Sequence, residues 1–183
     1  MKITSQIGDT PIFERLHEIY NEGGVLAGTS AGAAAMCETM LVSGGSDESN
    51  RIADLRMATG LGMIQGLVID THFAERGRLG RILGAVAQNP YNLGIGIDED
   101  TCVMVEGDKK FSVLGSGAVY VADGTGITTS NLTEQANGKV LSICHLKLHV
   151  LSQGDQFDLQ MREPKLLSDS KEASKMAQQR SAA

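Results

Sequence analysis

Gly28-Thr29-Ser30-Ala31-Gly32 is a G-x-S-x-G pentapeptide, the pattern of a strained turn that pushes a serine hydroxyl into solvent at the start of a helix. The apolar run Val25, Leu26 and Ala27 precedes it, and mostly small residues from Ala31 to Met40 follow. The spacing therefore predicts a strand, an abrupt turn and a tightly packed helix. The glycines on either side are read as places where a Cβ would collide with that strand and helix. The chemistry open to such a serine is attack on a carbonyl. The backbone N–H of Ala31 and the positive end of the helix dipole would meet the oxyanion, and one such donor is worth about 3 to 4 kcal/mol of barrier.

A serine needs a base, and histidine is the usual one because its pKa lies near operating pH. Of the four histidines, His17 falls on an amphipathic helix pattern, while His145 and His149 sit in a late strand-like alternation with Ile143 and Lys147. That alternation argues against a zinc pair on a helix. His72 instead follows directly on the buried run Leu67, Val68, Ile69. Functional groups of open α/β sheets gather just beyond the carboxyl ends of strands, which favours His72 as the partner of Ser30. A carboxylate should orient the imidazole. Asp98, Glu99 and Asp100 end another apolar strand pattern, Gly94 to Ile97, and chain order alone does not choose among them.

The elements that must position these groups can be read outward from them. Thr10-Pro11 caps a short amphipathic helix carrying Ile12, Leu16, Ile19 and Tyr20, stopped by Gly23-Gly24. Leu79, Ile82, Leu83 and Val86 fall at i, i+3, i+4 and i+7 and predict a helix that ends at Asn89-Pro90, with Arg78 and Arg81 on its other faces. From Gly94 on, short β-rich runs alternate with glycine turns, and a last extended stretch covers Val140 to Leu151. After Pro164 the chain is polar, rich in serine and lysine, and expected to be disordered. Residues 1–164 are read as one α/β domain and 165–183 as its tail.

Composition narrows the function class. The 183 residues are 42% apolar and 21% charged, with no apolar run near the roughly 18 to 20 residues that span a bilayer. A net charge of −6 is the wrong sign for gripping nucleic acid. The three cysteines, Cys37, Cys102 and Cys144, are widely spaced and make no disulfide framework, which fits a reducing compartment. No secretory signal is visible, so the cytoplasm is the expected location.

Taken together, Gly28 to Ala33, Asp70-Thr71-His72-Phe73, Arg76-Gly77-Arg78-Leu79-Gly80-Arg81 and Gly94 to Thr101 resemble the cyanophycinase family. These are serine peptidases related to dipeptidase E, with a class I glutamine amidotransferase-like fold. The resemblance covers about Ile3 to Glu163. It implies Ser30 as nucleophile, His72 as general base and Glu99 as the triad acid, with no metal or organic cofactor. It also implies a mostly parallel central sheet with flanking helices and a β-rich C-terminal portion. The family's substrate is cyanophycin, a poly-aspartate backbone bearing arginine on each β-carboxyl, from which β-aspartyl-arginine dipeptides are released. Arg76, Arg78 and Arg81 would then clamp a substrate carboxylate, and Asp70 would answer a guanidinium or position those arginines. Asp47 and Glu48 are weaker candidates for binding arginine. A homodimer is implied by the resemblance alone.

Two departures stand out. Thr71 occupies a place where family members commonly carry glutamine. The fold also implies several βα units ahead of the serine strand; at roughly 30 residues or more per unit this amounts to about a hundred residues before Met1. That region carries the family's Gly-Gly-Asp/Asn-Gln type loop, the source of a second oxyanion donor. Two alternatives remain beside the cyanophycin reading: an aspartyl dipeptidase using the same serine, and a catalytically silent homologue serving as an interaction module.

Overall fold

The computed structural model describes residues 2–43, 55–107, 109–132 and 140–169. Asp47, Glu48 and residues 170–183 of the expected tail lie outside the described residues. The elements run α1 (Lys2–Ile7), α2 (Pro11–Asn21), α3 (Ala31–Met36), β1 (Thr39–Ser43), β2 (Arg56–Thr59), β3 (Leu67–Thr71), α4 (Leu79–Gln88), β4 (Leu93–Ile97), β5 (Thr101–Glu106), β6 (Lys110–Gly115), β7 (Val119–Asp123), β8 (Thr129–Ser130), β9 (Ile143–Cys144), β10 (Lys147–Leu151), β11 (Gln156–Asp158) and β12 (Glu163–Lys165). The chain is thus α/β with several sheets and few helices.

Two four-stranded sheets dominate, ordered β10-β7-β4-β3 and β12-β11-β6-β5. The expected mostly parallel sheet is not what forms. Among the described residues only β3 and β4 make a parallel ladder between strands, while β4–β7, β7–β10 and every pair of the second sheet are antiparallel. The reason lies in the connections. A parallel pair needs a crossover of a dozen or more residues, which α4 supplies between β3 and β4; short turns return the chain antiparallel between β5 and β6 and between β11 and β12, while β4–β7, β7–β10 and β6–β11 pair across longer stretches.

The β3 sheet is covered on both faces. Leu67, Ile69, Ile95, Ile97, Val119 and Val121 point toward Phe111, Val113 and Phe157 of the second sheet. Val68 and Ala122 point the other way, onto Ile82, Ala85 and Val86 of α4. This double burial is why Leu67 to Ile69 reads as a continuous apolar run, and each such side chain contributes about 1.5–3 kcal/mol by leaving water.

Other expectations change in detail. Thr10 caps α2 through its hydroxyl and Pro11 opens the helix, as the pattern predicts. The small-residue helix stops at Met36, and Thr39 to Ser43 turn into a strand paired with β2. Val25 to Ala27 form no strand: Val25 is 92% exposed, and among the described residues no ladder runs beside it. A strand requires a neighbour to take its N–H and C=O groups, and apolar character alone does not supply one. The last extended stretch breaks at His145, where φ is +65°. Lys165 lies in β12 and the Leu167 N–H donates to Asp155, so ordered structure continues past residue 164.

Candidate active site

The parallel ladder pairs Thr71 with Ile97, so the residues that follow, His72 and Asp98-Glu99, leave the sheet side by side at the same edge. His72 turns sharply there with φ of +52°. Close packing beneath it depends on Gly96, because a Cβ at that position would come within 2.5 Å of the buried Phe73 ring. Ser30 approaches from the other side. It precedes α3 with φ 51° and ψ −120°, a conformation costly for a residue with a side chain, of order 1–3 kcal/mol. The Ala33 and Ala34 N–H groups both donate to its carbonyl, at 3.0 and 3.2 Å. A Cβ on Gly28 would lie 2.7 Å from the Gly32 backbone, which explains the first glycine of the pentapeptide. The second is different: a Cβ on Gly32 would meet open space.

Ser30 Oγ lies 3.2 Å from His72 Nε2, and His72 Nδ1 lies 2.9 Å from Glu99 Oε1. A carboxylate only accepts, so Glu99 selects the tautomer with the proton on Nδ1 and leaves Nε2 as the acceptor for the serine hydroxyl. Of the three acids at the end of β4, the imidazole therefore meets the middle one. All three side chains line a cavity of about 470 Å³, shared with Thr29, Cys102 and Val105. That is room for a small peptide fragment. The group is partly solvated, with the His72 and Glu99 side chains 29% and 54% exposed.

Asp70 sits beneath, 4% exposed and flanked by two arginines. Arg78 Nη1 donates to Asp70 Oδ1 at 2.9 Å and to the Thr71 carbonyl at 2.6 Å. Arg81 Nε approaches Asp70 Oδ2 at 3.1 Å, close enough for an ion pair but misaligned for a hydrogen bond. Burial raises the Asp70 pKa and lowers that of Arg81, while their mutual attraction opposes both shifts. Arg78 and Arg81 thus face inward onto Asp70. Arg76 is exposed; its backbone N–H donates to the His72 carbonyl at 3.2 Å, and its side chain has no hydrogen bond or ion pair among the described residues. The buried Cys37 thiol is pushed up to about 12, chiefly by desolvation against a hydrogen bond with the Ile69 backbone, and is inert.

Three roles escaped the sequence reading, which weighed Asp98 only as a candidate for the orienting acid. Asp98 Oδ1 accepts from Ala74 N–H at 2.9 Å and Oδ2 from Ala118 N–H at 3.2 Å. Glu75 Oε1 accepts from Glu99 N–H at 3.0 Å. Thr101 Oγ1 donates to the Glu99 carbonyl at 3.0 Å and accepts from Gly117 N–H at 2.8 Å. No local signal marks the Asp98 role: an aspartate in a turn commonly bonds its own backbone two residues on, whereas the donors to Asp98 come from distant loops. Nothing in the spacing marks Glu75. Among the described residues no group of three or more His, Cys, Asp or Glu is placed to hold a metal ion. No helix there is long and apolar enough to cross a membrane.

Comparison with known proteins gives this geometry a context. The chain is 43% identical over 163 residues to a cyanophycinase of Trichormus variabilis, covering 88% of this chain and 55% of that protein. It is 38% identical over 164 residues to a cyanophycinase of Synechococcus elongatus, covering 89% and 51%. For a cyanophycinase of Geminocystis herdmanii the values are 39% over 165 residues, 90% and 61%. The chain spans about half the length of the curated relatives it matches. The family model for peptidase family S51 matches residues 1–113, a stretch that includes Ser30, His72 and Glu99. By that match and these identities, the chain belongs to peptidase family S51.

Proposed function

We propose that the chain carries the active centre of a serine exopeptidase that hydrolyses cyanophycin to β-Asp-Arg dipeptides. The observation that carries this reading is the hydrogen-bonded series from Ser30 through His72 to Glu99, open to a cavity. The names of its relatives supply the substrate. His72 takes the Ser30 proton through Nε2 as Oγ attacks a backbone carbonyl of the polymer. Glu99 holds the imidazole and stabilises its cationic form. The Ala31 N–H donates to the oxyanion. His72 then returns the proton to the leaving amine, and a water activated by the same imidazole hydrolyses the acyl-enzyme.

Arg76 is the substrate contact the geometry favours, because its side chain is exposed, has no partner among the described residues and can take a substrate carboxylate through paired N–H donors. Asp70, Arg78 and Arg81, assigned to substrate binding by resemblance, act from below, where they are already paired. The parallel β3-α4-β4 unit is compatible with the class I glutamine amidotransferase-like architecture that this reading carries. A homodimer in the cytoplasm is the assembly and place this reading carries, and sedimentation velocity tests the first.

The test is release of β-Asp-Arg from cyanophycin, with Asp-X dipeptides offered in parallel and Ser30→Ala as control. Release from the polymer, lost in the variant, supports the reading. Cleavage of short aspartyl peptides alone would transfer it to an aspartyl dipeptidase. Inertness toward both, or full activity in Ser30→Ala, would overturn it.

A further inference from the structure

Two carboxylates outside the reacting series cross between its loops. Asp98, on the loop after β4, accepts Ala74 N–H from the loop after β3, and its second oxygen accepts Ala118 N–H. Glu75, on the loop after β3, reaches back to accept Glu99 N–H. Each loop lends a carboxylate to the other's backbone. From these bonds we infer that Glu75 and Asp98 form a reciprocal strap that fixes the Glu99 carboxylate against His72. This deepens the serine-peptidase reading and rests on it.

The need for such a strap follows from exposure. The Glu99 side chain is 54% exposed, so packing covers less than half of it. Its peptide is held instead by hydrogen bonds on both sides: Glu75 takes its N–H and Thr101 occupies its carbonyl. Glu75 is itself kept below its ordinary pKa, first by the Glu99 N–H bond and to a smaller degree by the nearby His72. It therefore stays ionised at neutral pH and makes the stronger, charge-assisted kind of bond. Neither Glu75 nor Asp98 is hydrogen-bonded to Ser30 or His72, so both are positioning residues acting through Glu99.

The two halves of the strap make opposite forecasts for amide substitutions. Glu75 uses one oxygen, and a glutamine there keeps an acceptor for Glu99 N–H. Asp98 uses both oxygens, and an asparagine would turn an N–H toward one of the two donors it now satisfies.

The experiment measures the rate at which a fluorophosphonate probe modifies Ser30, read by mass spectrometry, with thermal melting recorded for every variant. Glu75→Ala is expected to label about tenfold more slowly and Glu75→Gln within about twofold of the parent, in keeping with the sensitivity of such chemistry to small misplacements. Asp98→Asn is expected to lose at least as much as Glu75→Ala. In a Glu99→Gln background, Glu75→Ala should change the rate by less than about twofold, because a positioning residue has nothing left to position. Labelling of Glu75→Ala at the parent rate, equal loss in Ala and Gln variants, or an undiminished Glu75→Ala effect in the Glu99→Gln background would each overturn the strap. The probe needs no cyanophycin, so a chain that labels at Ser30 but ignores the polymer contradicts the substrate reading and leaves the strap to be judged on these rates. A parent chain that labels no faster than Ser30→Ala removes both.

Discussion

His72 and Glu99 leave two adjacent strands that are paired in register and buried, whereas Ser30 leaves a segment with no ladder among the described residues and enters a helix of six residues. The distances follow the supports: 2.9 Å between His72 and Glu99, 3.2 Å between Ser30 and His72. The base–acid half is held by a two-sided core and by hydrogen bonds between its loops. The serine half is held by local geometry, a positive φ and close contact between Gly28 and the start of α3. The two halves therefore differ in what can break them: changes in the sheet disturb His72 and Glu99 through packing, and changes in the turn disturb Ser30 through the backbone.

The largest effects should ignore this difference. Ser30→Ala and His72→Ala are each expected to reduce kcat by about 10⁴- to 10⁶-fold, and the double variant by little more, since the groups act as a unit. Steady-state rates on the proposed substrate would show it. A double variant far worse than either single one would mean that the halves work independently. Glu99→Gln comes next, at about 10³- to 10⁴-fold in kcat with melting almost unchanged, because the amide favours the wrong tautomer without altering a packed contact.

Gly96→Ala sharpens the contrast. Its Cβ would enter the Phe73 ring at 2.5 Å, and the base–acid half should lose about 1–3 kcal/mol of stability, measured by denaturant unfolding. In the serine half, Gly28→Ala should lower kcat more than stability, since the added Cβ meets the Gly32 backbone at 2.7 Å beside Ser30. Gly32→Ala, facing open space, is expected to stay within about 0.5 kcal/mol of the parent. Equal costs at Gly28 and Gly32 would show that the turn does not depend on that close approach.

What the sequence disclosed divides along the same line. The chemistry-bearing motifs and α2 and α4 were legible because each carries a local signal: a pentapeptide, a cap, a 3.6-residue period. Ser30, His72 and Glu99 were recognisable as a set through resemblance to a family, with chain order alone leaving Asp98, Glu99 and Asp100 equivalent. Sheet direction was not legible. Apolar runs at Leu67 to Ile69 and Val25 to Ala27 look alike, yet one lies buried in β3 and the other has no ladder among the described residues, because pairing is decided by distant partners. Arg78 and Arg81 read as a clamp for a substrate carboxylate, with Asp70 answering a guanidinium or positioning them; they turn onto Asp70, whose burial no periodicity reveals. Glu75 carries no motif or spacing signal and becomes visible only once two loops are seen together.

The account stands on three side chains from separate segments acting at one point, and covalent mapping tests it most directly. After reaction with a fluorophosphonate and proteolytic digestion, the parent chain should carry a single adduct, on Ser30. That adduct should be missing from Ser30→Ala and close to background in His72→Ala. An adduct on another residue, or undiminished labelling of Ser30 without the imidazole, would contradict it.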